Sequence, residues 1–76
     1  MKIEILGSGC PKCLKLESMV KDIVAKHGIK AEIGHVYDIQ KIMDYGVMMT
    51  PALVVDGKVR IVGRLPSESE VLNLLR

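Results

Sequence analysis

Gly7-Ser8-Gly9-Cys10-Pro11-Lys12-Cys13 holds both cysteines of the chain, three positions apart. The stretch lies where a short β-branched run, Lys2-Ile3-Glu4-Ile5-Leu6, gives way to a long amphipathic pattern. Gly7, Ser8 and Gly9 end that first run as a strand. Pro11 suits the first position of a helix, where its missing N–H would have had no partner. The cysteines therefore straddle a strand-to-helix junction. A helix start presents unpaired N–H groups and the positive end of its dipole, and both stabilise a thiolate. A Cys-x-x-Cys pair placed there opens and closes as a disulfide within one helical turn. Bridged, it closes so short a loop that it removes little entropy from the unfolded chain. The pair reads as functional rather than structural.

Around that junction the chain has modest means. It counts 76 residues, 49% of them apolar, with no Trp or Phe, so the core must be built from Ile, Leu, Val and Met. That is one domain, residues 1–76, near the lower limit for a self-sufficient core. The net charge of +2 is spread along the chain and not gathered into a patch, which argues against nucleic acid. The apolar start is too short to export or to span a membrane. The expected setting is the reducing cytoplasm, with the protein a monomer.

From Cys13 onward, apolar residues recur at Leu16, Met19, Val20, Ile23 and Val24, a helical stripe that Gly28 caps. Glu17–Lys21 and Asp22–Lys26 are i,i+4 pairs in the favourable order on the wet side. Residues 29–36 read as a second strand. Asp38 then caps a short helix expected to carry Ile39, Ile42 and Met43 inward and to end at Gly46. After the loop Val47-Met48-Met49-Thr50-Pro51, two strands, 52–55 and 58–62, flank Asp56-Gly57, a type I′ hairpin signal. Ser67 and Glu70 form a capping box, and Val71, Leu72, Leu74 and Leu75 line a last helix.

The order is β-α-β-α-β-β-α. Strand, crossover helix and strand make a right-handed parallel unit, to which the hairpin adds two antiparallel strands. The expected fold is α/β, a four-stranded mixed sheet with helices on both faces. Apolar runs in the first and third strands agree with burial on both sides.

So arranged, the chain resembles the thioredoxin superfamily, and more closely its smallest members, the stand-alone thioredoxin-like redox-active disulfide proteins of archaea and bacteria. The likeness covers nearly the whole chain. It rests on Cys10-Pro11-Lys12-Cys13 between strand one and helix one, on Thr50-Pro51 before strand three, and on Asp56-Gly57 followed by Gly63. The resemblance implies that Cys10 and Cys13 are the catalytic pair and that Pro51 is cis and faces their sulfurs. Thr50 and Pro51 would bind substrate, with Pro11 and Lys12 in support. The activity implied is thiol–disulfide exchange. Cys10, at the helix entrance, attacks a partner disulfide, and Cys13, a turn deeper, resolves the mixed disulfide. No cofactor is implied beyond the redox-active disulfide. The partners are protein disulfides and an upstream reductase. The tryptophan usual beside a thioredoxin pair is missing. Cys-Pro-x-Cys and Thr-Pro look like glutaredoxin, but Gly63-Arg64-Leu65-Pro66 lacks the Gly-Gly and acidic residue that contribute to glutathione binding there.

A second reading stays open, that of a small carrier in which the two thiolates hold Cu(I) or Zn(II). Against it, two thiolates are half of a closed zinc site, and neither His27 nor His35 is spaced to complete one. Among the other residues, Lys12 is either a solvated lysine or an aid to the Cys10 thiolate. Glu4 has the spacing of a proton carrier for Cys13, although a carboxylate reaching a strand edge is the plainer expectation. His27 and His35 read as ordinary polar residues of a helix end and a strand. At least one of Met48 and Met49 is expected in the core, the alternative being a docking surface beside Pro51.

Overall fold

The computed structural model describes residues 1–76. Seven elements follow in chain order: β1 Lys2–Leu6, α1 Pro11–Lys26, β2 Glu32–Val36, α2 Ile39–Asp44, β3 Ala52–Val55, β4 Lys58–Val62 and α3 Glu68–Leu75. They form one sheet of order β2-β1-β3-β4. β1 pairs with β2 in parallel, and the other two pairings are antiparallel. This is the expected α/β arrangement of the thioredoxin-like fold.

The pleat divides the core in two. Ile3 and Ile5 of β1 and Leu53 and Val55 of β3 point to one face, where Leu16, Val20 and Ile23 of α1 and Val71 and Leu75 of α3 cover them. Leu6, Ala52 and Val54 point to the other, under Ile42 of α2 and Val47. A bulge in the β3–β4 pairing sets Val59 opposite Val54 and Ile61 opposite Leu53, leaving Arg60 unmatched. Through that extra residue, Val59 and Ile61 face opposite sides although they lie two apart. Asp56 and Gly57 both have positive φ, as a type I′ turn requires. Asp56 also clasps β1: its carboxylate accepts from the Lys2 N–H and its own N–H donates to the Lys2 carbonyl, both at 2.8 Å.

Four expectations need correction. β2 begins at Glu32 and not at 29, because Ile29 N–H still closes the turn after α1 on Val24 and the ladder starts with Glu32 N–H on the Met1 carbonyl. In α2 only Ile42 is buried, while Ile39 (65% exposed) and Met43 face solvent. The helix is too short to lay three side chains on the sheet, and Val47 takes the place beside Ile42. Neither Met48, 88% exposed, nor Met49 enters the core. Val47 and Pro51 occupy the buried positions on either side, so the residues between them turn outward. At α3 the capping box is half made. Ser67 Oγ accepts from Glu70 N–H at 3.2 Å, but the Glu70 carboxylate turns away to the Arg64 guanidinium. A two-pronged charged pair outweighs a single bond to a backbone N–H.

Leu53 is wholly buried between β1 and the helices. Leu53→Ala should lower stability by about 2–5 kcal/mol, read as a fall in the urea midpoint. Met48→Ala should leave it within about 0.5 kcal/mol.

Candidate active site

The redox pair is built by the entry to α1. Cys10 is the N-cap, extended at φ −65° and ψ 161°, and its Sγ accepts the Cys13 N–H at 3.2 Å. A sulfur thus fills the position where a serine or aspartate oxygen usually satisfies the first free N–H groups. Pro11 stands at the first helical position and gives up no hydrogen bond there. Cys10 and Cys13 are joined as a disulfide with their Cα atoms 5.1 Å apart. Cys13 is completely buried and Cys10 is partly exposed. Lys12 is exposed and joins no ion pair.

The last residue before the loop explains why the pair can seat itself. A Cβ on Gly7 would fall inside the Cys13 Sγ atom and 2.9 Å from the Cys13 Cβ. Only glycine lets the sulfur lie on the backbone here. Gly7 is also gripped from β2: its N–H donates to the Val36 carbonyl at 3.0 Å, and its carbonyl meets His35 Nε2 at 3.0 Å. His35 Nδ1 meets the Glu17 carboxylate, which Lys21 approaches at 2.9 Å from the other side. The hydrogen bond from His35, and then that from Lys21, hold the Glu17 carboxyl below the ordinary glutamate range. Gly9 turns the loop with φ +95°, open space for the Tyr37 ring beside it.

On the other side lies the loop before β3. The Thr50–Pro51 peptide is cis, Pro51 is buried and Thr50 exposed. Thr50 Cβ sits 3.8 Å from the point that a Gly7 Cβ would occupy, the point that Cys13 Sγ crowds. The two loops therefore meet at Gly7. The Pro51 carbonyl is taken by Gly63 N–H at 2.9 Å, whereas the Thr50 backbone enters no backbone hydrogen bond. Met49 packs across Gly63, where even a Cβ would come within 3.1 Å of it.

Of the other residues weighed from sequence, His27 is exposed at the end of α1. Glu4 reaches no strand edge, because β1 is interior, and its carboxylate accepts from Tyr45 OH at 2.6 Å. That bond, with lesser help from burial, raises the Tyr45 phenol above its ordinary value. His35, expected as an ordinary polar residue of a strand, instead joins Gly7 to Glu17. Its signal was present in two periodicities. Cys13, Glu17 and Lys21 fall on one stripe of α1, and His35 pairs with Ile5 across the parallel ladder. Both place it under the redox loop. No group of three or more His, Cys, Asp or Glu side chains gathers anywhere, and nothing in the geometry favours the metal carrier.

A family model described as a thioredoxin domain matches residues 1–76. The chain belongs to the thioredoxin family. It is 37% identical over 75 residues to a thioredoxin of Methanothermobacter thermautotrophicus, covering 99% of this chain and 97% of that protein. It is 38% identical over 74 residues to a thioredoxin of Methanocaldococcus jannaschii, covering 97% and 85%. A probable thioredoxin of Methanothermobacter marburgensis is 32% identical over 79 residues, covering 99% and 92%. This thioredoxin-family protein is a thiol–disulfide oxidoreductase with Cys10 and Cys13 as its redox couple.

Two outcomes follow for this member of the family. Gly7→Ala should hinder closure of the pair, so that thiol alkylation under mild oxidant leaves free cysteines where the parent has none. Glu17 supports the fold as a carboxylate whose folded pKa is lowered. Its contribution is therefore complete above about pH 4.5 and lost as pH falls through the lowered value. The urea midpoint of Glu17→Gln should lie below that of the parent at pH 6, and the gap should narrow at pH 3.

Proposed function

We propose that this protein reduces disulfides of partner proteins by a two-step exchange in which Cys10 attacks and Cys13 resolves. The observation that carries this division is the difference in access. Cys10 is partly exposed at the cap of α1, and Cys13 is enclosed against Gly7. Attack needs an ionised and reachable sulfur. The Cys13 N–H and the positive end of α1 favour a thiolate at Cys10. In the first step the Cys10 thiolate bonds to one partner sulfur, and the other leaves as a thiolate and takes a proton. In the second, the Cys13 thiolate displaces the remaining partner sulfur from Cys10. Two electrons have then passed to the partner, and the Cys10–Cys13 bridge has closed.

Pro11 sets the helix entrance, and Lys12 adds positive charge close to Cys10. Thr50, whose backbone groups are unengaged, offers them to an extended segment of the partner, next to the buried Pro51. An upstream reductase reopens the bridge, and no further cofactor enters the cycle. A disulfide reductase of this kind belongs where thiols are kept reduced. The setting proposed is the cytoplasm, with residues 1–76 acting as one monomeric domain. No helix is long and apolar enough to cross a membrane.

Trapping tests the assignment. Cys13→Ser should accumulate mixed disulfides with protein partners through Cys10, visible as bands that a reductant dissolves. Cys10→Ser should accumulate few or none. Equal accumulation by both variants would reverse the argument from access.

A further inference from the structure

The chain has two aromatic side chains beyond its histidines, Tyr37 and Tyr45. Tyr45 is committed to Glu4. Tyr37 follows the end of β2, 54% exposed, with no hydrogen bond drawing it to the fold. It is nonetheless held. Its ring stacks on His35 with centroids 4.0 Å apart and planes 7° from parallel. His35 is in turn pinned at both nitrogens, by Gly7 and by Glu17. The Tyr37 Cε1 atom then lies 3.7 Å from where a Cβ on Gly9 would stand, one residue before Cys10.

The sheet order sets what this ring can do. β2 and β3 flank β1, so their ends at the redox pole flank the loop that leaves β1. Thr50 borders that loop on the β3 side, its Cβ 3.8 Å from where a Cβ on Gly7 would stand. Tyr37 borders it on the β2 side. A half-exposed aromatic with its orientation already fixed loses little freedom when a partner covers it, and aromatic faces contribute strongly to recognition. We infer that Tyr37 is a specificity-determining residue, a wall beside Gly9 and Cys10 against which the polypeptide next to the partner's disulfide packs. His35 is the positioning residue that presents it. This rests on the reading of the protein as a reductase of protein disulfides. A small disulfide, with no flanking chain, gains nothing from the wall.

The experiment compares pre-reduced protein on two probes, insulin and hydroxyethyl disulfide, by the second-order rate of thiol loss. Tyr37→Ala should be about five- to tenfold slower on insulin and within twofold of the parent on hydroxyethyl disulfide. Tyr37→Phe, which keeps the ring, should match the parent on both. The equilibrium constant of the Cys10–Cys13 couple with glutathione should be the same in all three. An unchanged insulin rate for Tyr37→Ala would overturn the inference. So would equal losses on the two probes or a shifted equilibrium constant, since either would make Tyr37 a prop for the loop. If the parent itself reduces hydroxyethyl disulfide but not insulin, the protein-disulfide reading falls, and the wall with it.

Discussion

Everything at the redox pole depends on how closely Cys13 approaches the backbone of Gly7. The sulfur occupies the volume where any other residue would carry its Cβ. That contact fixes where α1 can begin relative to β1, and hence where Cys10 stands. The end of β2 reinforces it: Val36 holds the Gly7 N–H and His35 holds its carbonyl. A parallel β1–β2 pairing is what puts those two residues level with the loop. The crossover geometry that builds the sheet and the fastening of the redox loop are therefore one constraint.

The thiolate chemistry draws on the same junction. Cys10 caps α1 with its own sulfur, so the group proposed to attack sits where the free N–H groups of the helix converge. Its partner Cys13 is fully buried, whereas Cys10 is partly exposed. Access, charge stabilisation and helix capping are thus served by a single residue placement.

Much of this was legible in the sequence, for identifiable reasons. Gly7-Ser8-Gly9 with Pro11 marked the strand-to-helix turn, since each residue has a backbone conformation it favours or forbids. Asp56-Gly57 marked the hairpin for the same reason, and both structural turns fall on those residues. Local stereochemistry is written in single residues and can be read there. What was not legible concerned the partner a side chain selects. Ile39 and Met43 had the periodicity of a buried stripe, but the sheet offered room for Ile42 alone. Glu70 had the spacing of a capping box, but Arg64 made the better partner. His35 looked unremarkable on its strand and acquired its role only when β1 and α1 closed on it. Competition between alternative partners is decided by the assembled fold.

The clasp of Asp56 on Lys2 lies at the opposite end of the sheet from the cysteines. β1 runs from that clasp to the redox loop, so the molecule is polar in a mechanical sense. One end is fastened by that clasp, and the other carries the cysteine pair. A tether, a surface or a neighbouring domain attached near residues 1 and 56–57 would leave the cysteine end free to meet a partner. The same polarity turns the protein into a terminal that can be mounted by its back, with its electrons delivered from the front.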